Sequence, residues 1–295
     1  MTYVTLSAIL FVCALFEYIR FYQVSMFMDI VKVSYPPFES QDYICADNRE
    51  NLFFTMLFIF ANQKGGVGKS TLALLMADFL GIHGHTCRML DCDKQMSILN
   101  KYVLDLKRSN IPYDPAYKDI PNLQLPENPN SLFAIQRVDM GQLVAIFKEQ
   151  IAQGNLCMED EYFEFSLLDM PGGLDLNYMS PIFQVADAII VPTCFTDFDS
   201  DSTHEFVDAV NKINSRAVKF IVPNSISSIV NYAKRPMEEL YYINNGFILT
   251  PDIPKTVNLT RGLSTMEMTP FIYGMVRMTF EYILSSLKFP LNPLN

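Results

Sequence analysis

One stretch constrains this chain more than any other: Asn62-Gln63-Lys64-Gly65-Gly66-Val67-Gly68-Lys69-Ser70-Thr71. The run before it, Leu57-Phe58-Ile59-Phe60-Ala61, is short and continuously apolar, as a strand covered on both faces requires. After it, Leu72, Leu75, Met76 and Leu80 recur at helical spacing over Ser70 to Gly81. A glycine-rich turn between a buried strand and a helix lets successive backbone N–H groups face one centre, where an anion sits. The helix start adds partial positive charge at the same point. Lys69 then places a cation against terminal phosphates, and the Ser70 hydroxyl is a candidate ligand for Mg²⁺. The candidate nucleotide-binding residues are therefore Gly65, Gly66, Val67, Gly68, Lys69, Ser70 and Thr71.

Around this loop the chain alternates strand and helix patterns. Further strands are expected at Cys87–Asp91, Ser131–Arg137, Phe163–Asp169, Ala188–Val191, Val218–Val222 and Phe247–Leu249. Helices are expected at Gln142–Gln153 (Leu143, Ile146, Phe147 and Ile151 on its core face), Ser202–Ile213 and Phe271–Leu287. The predicted fold is an α/β domain, a doubly wound and mostly parallel sheet with helices on both faces. Five prolines between Lys107 and Asn130 predict a long loop there.

Residues 1–55 stand apart from the domain predicted over 56–295. Val4 to Phe16 is strongly apolar but shorter than the roughly 20 residues that span a bilayer. Three readings stay open: a short membrane anchor, a packed extension, or a stretch outside a native product that starts at Met56. The last is favoured, because Met56 immediately precedes the first apolar run.

Charge and cysteine usage narrow the function classes. A formal net charge of -10 disfavours broad electrostatic binding to a phosphate backbone. The six cysteines contain no CxxC pair, and the three histidines form no ligand cluster, which argues against structural zinc and a disulfide framework. Scattered thiols fit a reduced, cytoplasmic protein.

Gln63 occupies the first glycine position of a strict GxxxxGK[ST] motif, so that pattern fails. The run KGGVGKST resembles instead the deviant Walker A motif of the ParA/MinD family, whose extra lysine corresponds to Lys64. The resemblance implies an ATP-dependent homodimer in which Lys64 reaches the phosphates held by the other subunit, making Lys64, Lys69 and Asp93 the catalytic set. Asp91-Cys92-Asp93-Lys94-Gln95 is similar to the family's DxDPQ element, with Asp93 placed to orient water and Asp91 near the metal. Here Lys94 replaces the usual proline and Met96 the usual glycine. The segment from Phe165 to Gly173 resembles a Walker B strand, implying that Asp169, with Ser70 and Asp91, attends Mg²⁺.

Asn224, at the end of Phe220-Ile221-Val222-Pro223-Asn224, matches the family's adenine-contacting asparagine, with a plain turn residue as the alternative. Pro251-Asp252-Ile253-Pro254 resembles the stretch that closes over the base, and no NKxD guanine signature is present. The implied activity is ATP hydrolysis in a partition or positioning switch, with ATP and Mg²⁺ as cofactors and an adaptor or activating protein as partner. Non-specific DNA is a further candidate partner through Lys255, Arg261, Arg277 and Lys288, and a membrane enters only if residues 1–55 are an anchor. A MinD-like membrane switch and a non-hydrolysing scaffold are the alternatives. A bacterial tyrosine kinase is disfavoured, because Tyr273 and Tyr282 are isolated on an apolar helix.

Overall fold

The computed structural model describes residues 54–111, 133–156, 158–159, 162–173, 175–213, 216–226, 233–256 and 263–292. The extension before Phe54 and most of the proline-rich segment lie outside these residues. So do Cys13, Cys45, Cys157 and Arg261.

Among the described residues, seven strands form one parallel sheet. They are β1 (Phe54–Phe60), β2 (Cys87–Asp91), β3 (Ala134–Arg137), β5 (Phe165–Asp169), β6 (Ala188–Thr193), β7 (Val218–Pro223) and β8 (Ile248–Leu249), in the order β3-β2-β5-β1-β6-β7-β8. β4 (Met158–Glu159) pairs antiparallel with the first residues of β1. This short strand escaped the sequence reading because two residues carry no periodicity. Its partners Phe54 and Thr55 extend β1 upstream of Met56, and the Thr55 and Ser166 hydroxyls lie 3.1 Å apart inside the sheet.

The central strands are buried on both faces, so alternate residues feed two cores. Phe58 and Phe60 pack with helices α1 (Lys69–Ile82), α2 (Ser97–Arg108) and α7 (Pro270–Ser286). Leu57, Ile59 and Ala61 face α3 (Met140–Ala152), α4 (Leu176–Val185), α5 (Asp197–Ile213) and Tyr242 of α6 (Arg235–Asn244). The doubly wound α/β fold predicted from the alternation is the one formed.

Three helices were not foreseen. In α4, Pro181 sits inside the helix and interrupts the sequence pattern, yet its ring is buried in the core. α2 runs into the first residues of the expected loop. The apolar pattern of α6 is divided: Tyr242 is buried, whereas Met237 and Leu240 are 76% and 58% exposed. The expected core face of α3 also needs correction, because Ile146 is 51% exposed and Val144 takes a core position beside Leu143 and Phe147. In α7, Phe271 and Met278 face solvent, so that helix buries one stripe rather than its whole surface. Among the described residues no helix is long and apolar enough to cross a membrane.

Candidate nucleotide site

The register brings the chemistry to the carboxyl edge of the sheet. Phe60 of β1 lies beside Asp169 of β5, which in turn lies beside Asp91 of β2. In a parallel sheet all three strands end on the same edge, so the loop after β1 and both carboxylates share one end of the molecule.

The loop from 61 to 68 is pinned from below. Asn62 is wholly buried; its amide donates to the Pro192 carbonyl (2.9 Å) and the Thr203 hydroxyl (3.1 Å), while its Oδ1 accepts from Lys64 N (3.0 Å). Its place in the loop is legible in the sequence; its role is not, because Pro192 and Thr203 come from β6 and α5. Gly66 and Gly68 have φ of 77° and 95°, the left-handed region that side chains avoid. Gly68 precedes α1, whose start carries no side-chain cap, so the free N–H groups of its first turn remain for an external anion.

Lys69 opens α1. Its ammonium donates to the Lys64 carbonyl at 3.0 Å, and burial lowers its pKa while Asp169 and then Asp93 oppose that shift. Lys64 itself is half-exposed. The turn after β5 folds onto this loop: Gly173 N donates to the Gln63 carbonyl at 3.1 Å, and a Cβ on Gly172 would stand 3.8 Å from both the Gly65 Cα and the Lys69 Nζ.

Asp169 is fully buried, and neither carboxylate oxygen has a hydrogen-bond partner. Burial pushes its pKa up to about 7; Ser70 lowers it, Asp91 raises it, Lys69 lowers it and Asp93 raises it. The Ser70 hydroxyl is thus close enough to favour the carboxylate, yet no bond of ordinary hydrogen-bond geometry reaches either oxygen. An unpartnered carboxylate at the foot of an anion cradle, with a serine hydroxyl beside it, is a donor set of the hard-oxygen kind that Mg²⁺ takes. The residues present fit the ion.

Asp91 is occupied differently. Its oxygens accept from Leu99 N (3.0 Å) and Asp93 N (3.3 Å), so the carboxylate holds the start of α2 and the turn before it. Asp93 Oδ1 accepts from Gln95 N at 2.9 Å. Met96, in the position where the resemblance expects glycine, has φ of 50°, and it starts α2 from that left-handed conformation. Asn224 is also buried: its amide donates to the Val67 carbonyl at 2.8 Å and so supports the loop from behind.

A cleft of about 1130 Å³ opens above these groups. It is bordered by Gly65, Gly66, Gly68, Lys69, Ser70 and Thr71 on one side, and by the turn from Asp93 to Gln95. Its remaining wall holds two residues that sequence reading missed, Asp139 and Asp175. Each caps a helix, Asp139 accepting from Gln142 N (3.0 Å) and Asp175 from Tyr178 N (3.2 Å). The aspartate-before-helix pattern was visible in sequence; its arrival at this cleft was not.

Residues 58–269 match the family profile described as the CobQ/CobB/MinD/ParA nucleotide binding domain. The chain belongs to that family. No curated protein matches it in sequence. Among solved structures, a plasmid partition protein of Borrelia burgdorferi B31 bound to AMPPNP is similar, at 15% identity and TM-score 0.57, over 79% of this chain and 99% of that one. The ATP complex of a Cyanothece McdA variant aligns at 16% identity and TM-score 0.56, over 81% and 98%. The MinD cell division protein of Aquifex aeolicus aligns at 15% and 0.54, over 82% and 100%. At these identities the likeness is one of fold, and this CobQ/CobB/MinD/ParA domain shares its overall architecture with all three.

Proposed function

We propose that this chain binds and hydrolyses ATP with Mg²⁺, and that ATP brings two copies together as a partition or positioning switch. The observation that carries the reading is Asp169, a buried carboxylate without hydrogen-bond partners beside Ser70, Lys69 and a glycine cradle. Ser70 and Asp169 would hold Mg²⁺, which supplies positive charge to the phosphoryl oxygens. The loop amides and Lys69 bind and orient the phosphates. Asp91 holds the turn that carries Asp93, and Asp93 orients the attacking water. Lys64 is assigned to the phosphates of the neighbouring copy. Asn224 supports the phosphate loop and, through it, the adenine side of the site. An adaptor or activating protein resets the switch.

A second reading, a nucleotide-dependent scaffold that does not hydrolyse, is favoured by two details of the same turn. Asp93 is engaged by Gln95 N, and Met96 holds a backbone conformation that favours glycine. Sizing with ATP, ADP and no nucleotide, alongside phosphate release, separates the readings. Dimers with ATP and turnover lost in Lys64→Ala are expected; a chain that stays monomeric with Mg²⁺ and ATP would overturn the switch.

A further inference from the structure

We infer that Lys94 supplies, within the same chain, a cation for the terminal phosphate, so that the site distinguishes a triphosphate from a diphosphate. The inference rests on the nucleotide reading above and adds a residue to it.

Lys94 borders the same cleft as Gly65, Gly66, Lys69 and Ser70. Its backbone is held firmly. The Met96 N–H donates to the Asp93 carbonyl at 2.9 Å, closing a turn with Lys94 and Gln95 at its corners. Gln95 N donates to Asp93 Oδ1, and Asn100 Nδ2 donates to the Gln95 carbonyl at 2.9 Å. Asp93, the residue before Lys94, is near enough to Lys69 and Asp169 to act on the charge of both. The stem of Lys94 therefore starts beside the phosphate loop, and four methylenes let its ammonium range over the outer part of the cleft.

Charge gives that ammonium a purpose. The charged residues bordering the cleft are two cations, Lys69 and Lys94, and three carboxylates, Asp93, Asp139 and Asp175. Lys69, already assigned to the phosphates, reaches them from the loop floor, where it also donates to the Lys64 carbonyl. Lys94 is exposed, and among the described residues no carboxylate pairs with it. A nucleoside triphosphate carries about one more negative charge than the diphosphate, and that charge is outermost. Apart from Lys69 in the loop, the other charged groups on the border are carboxylates, and Lys94 is the second cation placed to meet it.

The test is calorimetric titration of the full chain with ATP and with ADP, in Mg²⁺ and again in EDTA, for wild type, Lys94→Met and Lys94→Arg. The methionine keeps the apolar stem and removes the charge. It should weaken ATP binding roughly 10-fold and ADP binding by less than about 2-fold, with arginine restoring most of the preference. The loss should persist in EDTA and at protein concentrations where the chain is monomeric, because the cation comes from the same copy. Equal weakening of both nucleotides, or no change in either, would overturn the role of Lys94 while leaving the nucleotide site intact. A wild-type chain that binds neither nucleotide would remove the site and this role together.

Discussion

The carboxamide of Asn224 occupies the space that a side chain on Gly68 would need. A Cβ on Gly68 would stand 2.2 Å from Asn224 Nδ2, which is the atom that donates to Val67 O. With φ of 95° at the same residue, Gly68 is required twice over, by conformation and by contact. Gly68→Ala should cost about 2 kcal/mol or more of stability and abolish nucleotide binding. Adding Asn224→Ala relieves the collision but not the backbone strain, so denaturant titration should show only partial recovery. Full recovery would mean that contact alone explains the glycine.

Asn62 ties the loop to β6 and α5 through two hydrogen bonds and holds the Lys64 amide within the loop through a third. Asn62→Ala leaves the Pro192 carbonyl without this partner in the buried interior and the half-buried Lys64 amide without its acceptor in the loop. A loss of about 2–3 kcal/mol in urea unfolding is expected, together with weaker ATP binding. A change within about 0.5 kcal/mol would show that the loop holds its shape without the pin.

Asp169 is buried without hydrogen-bond partners. Asp169→Asn removes a charge that is costly to bury, so the nucleotide-free protein should become more stable by on the order of 2 kcal/mol. The same change should erase the extra thermal stability that Mg²⁺ and ATP confer on wild type. Retention of that extra stability in the variant would argue against Asp169 as the metal carboxylate.

Asp78, on α1, is buried and has one oxygen without a hydrogen-bond partner. Burial first, and the Asp105 carboxylate second, push its pKa well above the ordinary range, with Lys101 opposing. The folded chain therefore holds this proton more tightly than the unfolded chain. Its contribution to stability is complete below about pH 4 and is lost as pH rises through the folded pKa. Asp78→Asn should flatten that decline and be the more stable protein at neutral pH by about 1 kcal/mol or more. Parallel stability profiles of wild type and variant from pH 4 to 7 would refute the assignment.

Local order carried much of this protein. The strand, glycine turn and helix around Lys64 to Thr71 are contiguous, so residue type and spacing alone specify them. Cys87–Asp91 was legible for the same reason, and Asp169 could be read as a strand end facing the loop. Tertiary structure decided what the carboxylates and amides do. Asn224 reaches Val67 across 157 positions of chain, and Asn62 reaches Thr203 across 141. Asp91 turns to backbone amides while Asp169 does not, although both end neighbouring strands in register. Hydrophobic periodicity reports which face of an element is dry; it carries no term for which strand lies beside which, or where an amide finds its partner. Those follow only when the sheet closes and leaves each buried polar atom with the neighbours it has.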